Sequence, residues 1–302
     1  MWIARRLGGM LVIGWLAVTL GFMLLRVAPT DGLTAVLQDS GASPALIAER
    51  IAANGLNEPL IMQYMRYLGS LARGDLGVSL LSGMPVGDLL LPAAGRTLTL
   101  AAAAFVLAVP LGMLIGGVAD RGRRFASSAA RVFITLSLAI PSFGIGYMLL
   151  LAVTFLLPGT RILSSDQVLV PALALAISAA GSIAKIVAAA LAETRHAQFV
   201  VTARGMGYSE AGLLRIQILP TVASRILPTI GLQALFLIGG TVVTESIFAR
   251  PGIGRLLVDS VLRRDYVIVQ GIVLWAASCA LLIQLVVDLA VAGLDPRVRE
   301  SK

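Results

Sequence analysis

The chain has 302 residues, 58% of them hydrophobic and 13% charged, with a mean hydropathy of +0.91, which is too apolar and too poor in charge for a water-soluble domain. Its net charge of +8 does not denote a nucleic-acid binder, because the arginines stand at the ends of apolar runs rather than on a basic face interleaved with aromatics. The single cysteine, Cys279, excludes an intrachain disulfide framework and a cysteine-based metal cluster.

At the N-terminus Arg5 and Arg6 precede an apolar stretch longer than the ~7–15 residues of a cleaved signal and without a small-x-small site, so it reads as an uncleaved first span. Six segments reach the roughly 20 apolar residues that a helical crossing needs: 7–28, 97–119, 132–157, 168–192, 226–248 and 266–292. The chain is therefore expected to be an all-α integral membrane protein of six transmembrane helices with both ends on one side. With the ends inside, the cytoplasmic pieces carry thirteen basic residues, among them Arg121, Arg123, Arg124, Arg131, Arg195, Arg204, Arg215 and Arg225, against ten over a longer outer length. That bias makes the N- and C-termini cytoplasmic, although the outer loop with Arg250, Arg255, Arg263 and Arg264 runs against it. The expected divisions are 1–28, the first span; 29–96, an extracytoplasmic helical loop; 97–296, a core with spans two to six; and 297–302, a cytoplasmic tail.

Within the outer loop, Ser43 is a candidate N-cap, Pro44 stands where a first helical turn tolerates proline, and Gly55 follows the last turn. Next, Leu60, Ile61, Tyr64, Met65, Leu68 and Leu71 recur at three- and four-residue spacings up to Gly74, an amphipathic helix for the outer bilayer face or the bundle. An inert packing unit and a surface that receives a partner are equally compatible with it.

The two lysines, Lys185 and Lys302, follow no glycine-rich loop, so the chain has no nucleotide-binding P-loop. One histidine, His196, cannot supply a two-histidine metal site, and the Gly-x-Ser-x-Gly and His-Glu-x-x-His patterns are missing. Covalent catalysis and a cofactor bound by the chain itself are not expected.

Between the fourth and fifth spans lies a polar, glycine-punctuated segment from Glu193 to Pro228. Its helix is expected to continue from Glu193 to Thr202, turn at Gly205 and Gly207, and restart at Tyr208-Ser209-Glu210 with Ser209 as N-cap, Pro220 ending the second arm. Such an elbow transmits force to a span; the alternative is a connector that packs under the bundle.

Ala203-x-x-x-Gly207 followed by Leu219-Pro220 resembles the EAA loop, here about 193–220, of permease subunits in binding-protein-dependent ABC importers. Thr202-Ala203-Arg204 with Gly207, and Glu193 upstream, resemble the peptide/nickel branch and its B-type permease. So do Gly231-Leu232-Gln233, the run from Val243 to Leu256, Arg264-Asp265-Tyr266, the ending Leu294-Asp295-Pro296-Arg297, and, upstream, Gly55-Leu56-Asn57-Glu58-Pro59 and Gly74-Asp75-Leu76-Gly77. Met206, Gln217 and Thr30-Asp31-Gly32 depart from that pattern, which leaves the ATPase partner and the binding-protein contact open.

The resemblance implies a type I ABC importer (MetI-like) transmembrane domain for peptide transport. It implies a homologous second permease subunit, two ABC ATPase subunits that hold ATP and Mg, an extracytoplasmic substrate-binding protein, a lipid bilayer around the chain and no nucleic acid. Glu193, Thr202, Ala203, Arg204, Gly205, Gly207, Tyr208, Leu219 and Pro220 are the ATPase-coupling residues it implies. Di- and oligopeptides are the expected cargo, with nickel or a metallophore as the alternative; an ion-gradient-driven secondary transporter is the competing class.

Polar residues and prolines inside the spans are the candidates for a gate or pathway: Pro141, Ser142, Phe143, Gln233 and Glu245. Glu245 either lines the path or braces an arginine such as Arg250. Lys185 is expected to snorkel to the interface and Asp288 to pair with a cytoplasmic arginine. Pro110, Pro141 and Pro228 predict kinks.

Overall fold

The computed structural model describes residues 2–27, 34, 38, 41, 43–53, 57–121, 124–156 and 167–294. Gly55, Arg161, the Thr30-Asp31-Gly32 element and the tail from Asp295 lie outside the described residues. Regular structure among the described residues is helical apart from one antiparallel bridge, Val78 to Pro85. In chain order the helices are α1 (Trp2–Val27), α2 (Pro44–Ala53), α3 (Leu60–Ala72), α4 (Val86–Arg121), α5 (Arg124–Ala139), α6 (Ser142–Leu156), α7 (Leu169–Arg195), α8 (Gln198–Gly205), α9 (Glu210–Leu213), a π-helical turn (Leu214–Ile218), α10 (Leu219–Ile247), α11 (Ile253–Leu262) and α12 (Tyr266–Leu294).

Four stretches are long and apolar enough to cross a bilayer, Val86–Arg121, Leu169–Arg195, Leu214–Ile247 and Tyr266–Gly293, and α5 with α6 makes a fifth if the pair is one span. The expected first span falls in α1, whose apolar stretch is Gly8–Met23. The expected third span, 132–157, is not one rod: α5 and α6 meet at 105°. Pro141 sits at the corner, where its ring and missing N–H disfavour a helical Ile140 and end the first arm, and its carbonyl then accepts the N–H of Gly144 to open the second.

The chain divides into two compact units, Met1–Arg96 with Pro251–Leu281 and Thr97–Arg250 with Leu282–Lys302. In the first, α4 begins eleven residues before the expected second span, at Val86 rather than 97. Pro92 and the polar residues around it mask this start in the sequence. Burial supplies what the apolar pattern lacks: Val86, Leu90, Ala93 and Ala94 share a core with Ile253, Ile268 and Ile272. Ser43 caps α2 through the N–H of Leu46, 3.3 Å from its hydroxyl, and α3 stops at Gly74 in a left-handed conformation, φ +76°. Only part of the apolar face of α3 turns inward. Tyr64 and Tyr67 pack on Phe22, with ring centroids 5.1 and 5.6 Å away, while Leu60, Ile61 and Met65 are exposed.

The second unit is built around α7, which packs against α5, α6 and α10. Its buried side is rich in small residues, Ala172, Ala176, Ala179, Ala180, Gly181 and Ala184, set among Leu175, Ile183 and Val187. In a membrane, where apolar surface is no scarcer outside the protein than inside, close backbone approach and dispersion hold helices together, and small residues permit both. On α4, Gly112 and Gly116 form a Gly-x-x-x-Gly pair facing α7. A Cβ at Gly116 would lie 2.7 Å from the Ala184 carbonyl oxygen and from Val187 Cβ, and one at Gly112 would lie 2.7 Å from Ile183 Cβ. Overpacking of this kind costs about 1–3 kcal/mol per site. Gly112→Leu and Gly116→Leu are each expected to lower the thermal midpoint of the purified protein, whereas Gly117→Leu, with open space at its Cβ position, is expected to leave it unchanged.

Candidate functional site

The elbow after α7 differs from its expected course at three points. The helix does not run from Glu193 through Thr202 but breaks at His196 and Ala197, the latter extended at φ −66°, ψ 143°. That turn lays α8 back so that Val200 and Ala203 are buried, in one core with Val187, Leu191, Val222 and Ile226. Gly205 is the last helical residue and makes no turn. The turn belongs to Gly207 alone, at φ +84°, where any side chain is strained. Around it the N–H of Tyr208 donates to the Ala203 carbonyl (3.2 Å) and that of Gly207 to the Arg204 carbonyl (3.0 Å), the reciprocal pattern of a glycine C-cap.

Ser209 is the expected N-cap: its hydroxyl accepts the N–H of Gly212 at 3.2 Å. Pro220, however, does not end the second arm. The helical path from α9 passes through the π turn, takes Pro220 into the first turn of α10 and runs on to Ile247. A wider π turn just upstream makes room for the proline ring, and the Thr221 hydroxyl donates to the Gln217 carbonyl at 2.7 Å. Leu213 and Ile218 are fully buried in the same core as Val200, so both arms of the elbow are anchored.

Two ion pairs brace the root of the elbow. Arg195 Nε lies 2.7 Å from Asp120 Oδ2, joining the ends of α7 and α4, with side-chain exposures of 18% and 7%. Glu193 meets Arg225 at 2.8 Å in an exposed pair. Sequence reasoning missed Asp120; the available signal was an isolated acid among arginines at the end of a span. On the outer surface of the elbow Phe199, Val201, Met206, Tyr208, Ile216 and Leu219 are exposed, with Thr202 and Arg204 between them.

Of the gate candidates, Ser142 and Gln233 come together. They line a cavity of about 490 Å³ with Ser178 and Ser182 of α7. Pro141 marks the corner above Ser142, and Phe143 is exposed. Glu245 is not in the cavity: it is fully buried, accepts the Thr97 hydroxyl at 2.6 Å, and its backbone carbonyl takes the N–H of Arg250 at 2.8 Å. Arg250, itself buried, donates from Nη1 to the Gln167 carbonyl. Lys185 is exposed on α7. Asp288 is buried and accepts from Gln284 at 3.1 Å, a pair one helical turn apart on α12.

A helical chain with several helices long and apolar enough to cross a bilayer is a multi-pass membrane protein. The profile described as "Binding-protein-dependent transport system inner membrane component" matches residues 108–300. A probable peptide ABC transporter permease, y4tP of Sinorhizobium fredii, is 33% identical over 290 residues, covering 92% of each chain. The dipeptide permease DppB of Escherichia coli strain K12 is 29% identical with 99% of each covered, and the nickel import permease NikB of Staphylococcus aureus strain RF122 is 32% identical with 97% of this chain and 90% of that one covered. Among solved structures, a chain of the MetNI methionine ABC transporter in inward-facing conformations superposes with a TM-score of 0.57 over 68% of this chain and 96% of that chain, at 19% identity. The chain belongs to the binding-protein-dependent inner-membrane family, the permease subunits of ABC importers.

Loss of one partner from a buried ion pair costs about 3–5 kcal/mol, whereas an exposed pair is worth about 0–1 kcal/mol. Asp120→Ala is therefore expected to lower thermal stability markedly and Glu193→Ala barely, with Asp120→Ala/Arg195→Ala recovering part of the loss, as read from thermal unfolding in detergent.

Proposed function

We propose that this permease serves an ATP-driven importer of di- and oligopeptides, spans the membrane six times with both termini in the cytoplasm, and is driven through the elbow at α8 by separate ATPase subunits. The assembly contains a homologous second permease, two ATPase subunits that bind ATP and Mg and carry out hydrolysis, and an extracytoplasmic binding protein that delivers cargo. The permease itself performs no chemistry. The observation that carries the reading is the two-sidedness of the elbow. Val200, Ala203, Leu213 and Ile218 fix it in the core of the spans, while Phe199, Val201, Met206 and Tyr208 present apolar surface outward. Inserted in a groove on an ATPase, such a body passes that subunit's motion to α7 and α10 instead of absorbing it. Coupling requires different contacts in the two nucleotide states, because a partner bound equally well to both conformations shifts neither.

Peptide cargo is supported by the peptide permeases among the relatives and by the hydroxyl and amide groups in the cavity. The likeness to NikB supports nickel or a metallophore as the second reading. Gly207→Asp forces a side chain into a left-handed turn and Arg204→Glu reverses a charge on the outward face. Either is expected to reduce co-purification of the ATPase, or ATP-dependent uptake, by about tenfold or more, the scale of a lost interface hot spot, with membrane insertion retained. Wild-type uptake by both variants would overturn the role of the elbow. Uptake driven by an ion gradient with no ATPase present would overturn the importer reading in favour of a secondary transporter.

A further inference from the structure

Hydroxyl groups on membrane helices ordinarily fold back on their own backbone, which satisfies them without water. Several hydroxyls on the spans follow that rule, Thr194 Oγ1 being a buried exception: Thr154 donates to the Leu150 carbonyl, Ser246 to Val242, Thr244 to Gly240 and Ser278 to Leu274, all at 2.8–3.0 Å. Ser142, Ser178, Ser182 and Gln233 do not. None of these four side chains makes a hydrogen bond among the described residues, and all four line the same cavity of about 490 Å³. Ser178 and Ser182 lie one turn apart on one face of α7, Gln233 comes from α10, and Ser142 comes from the corner where α5 and α6 meet at 105°. Leaving four polar side chains uncommitted at membrane depth is unfavourable unless something enters to pair with them.

We propose that this cavity is a cargo-contact subsite that takes the backbone amide groups of a short peptide. The inference rests on the importer reading and deepens it. The volume is in the range of small-ligand sites, roughly 300–1,000 Å³. None of the lining residues is charged, so recognition runs through hydrogen bonds. A primary amide offers two donors and an acceptor and each hydroxyl offers both, matching the alternating N–H and C=O of a peptide. The same groups read amides irrespective of side chain, while Phe236 and Leu175 on the cavity wall offer apolar contact to side chains of varied size.

The test uses the complete importer in proteoliposomes, with binding protein and ATPases, and a labelled mixture of di- and tripeptides as probe. Gln233→Leu and the pair Ser178→Ala/Ser182→Ala are each expected to lower ATP-dependent peptide uptake by about tenfold, the scale on which a hydrogen-bonding site loses a substrate it can no longer pair, while still co-purifying with the ATPase subunits. If the wild type takes up peptide and the variants match it, the subsite is overturned and the importer reading stands; if the wild type shows no ATP-dependent uptake, the importer reading itself falls. A second readout guards against a merely structural effect. In a Cys279→Ser background, Ser182→Cys is expected to react with a membrane-impermeant maleimide, and the peptide mixture to slow that reaction where a nickel–histidine chelate does not. No labelling, or equal protection by the chelate, would overturn the assignment.

Discussion

The close approach of α4 to α7 is the contact on which the rest of the second unit depends. Gly112 and Gly116 place no side chain between the two backbones, and the carbonyls of Ala180 and Ala184 occupy the space a Cβ would need. With α7 so held, Val187 and Leu191 become the floor on which Val200, Ala203, Leu213 and Ile218 are buried. At the end of the same helix pair, Asp120 and Arg195 close the contact with opposite charges. The elbow is thus an outgrowth of the interior of the spans. A body sharing a close-packed core has discrete arrangements rather than continuous play.

Bilayer physics explains what is buried and what is not. Large apolar residues such as Leu91, Val106, Leu114, Phe155 and Val286 stand exposed on the spans, as a surrounding bilayer allows, while the buried side of α7 is rich in small residues. Many polar groups within the spans return to their own backbone or, like Glu245 with Thr97, are paired inside the protein, whereas Thr194 Oγ1 and Gln270 Nε2 are buried without a hydrogen-bond partner. The four uncommitted groups of the cavity differ in that they share one opening.

Much of this was legible in the chain because apolar length and glycine geometry are local signals. Spans two and four to six, a bend at Pro141 though not its 105° size, the caps at Ser43 and Ser209 and the left-handed Gly207 all follow from nearby residues. What was not legible depends on tertiary contact. The early start of α4 needs Ile253, Ile268 and Ile272 to bury Val86 and Leu90. Passage of the helix through Pro220 needs a π turn whose cost is met by the burial of Leu213 and Ile218. The break at Ala197 has the same cause, since it is Val200 and Ala203 that gain by turning inward. Asp120 with Arg195, and Ser178 with Gln233, are brought together from distant positions that no spacing rule connects.

Spin labels at Lys185→Cys on α7 and Thr202→Cys on α8, in a Cys279→Ser background, report on the central claim through their distance distribution in the assembled importer. A single narrow distance, the same without nucleotide and with ATP bound, is the result expected of an elbow that moves as part of the core of the spans. A broad distribution, or a distance that changes with nucleotide, would show the elbow hinging on α7 and would contradict it.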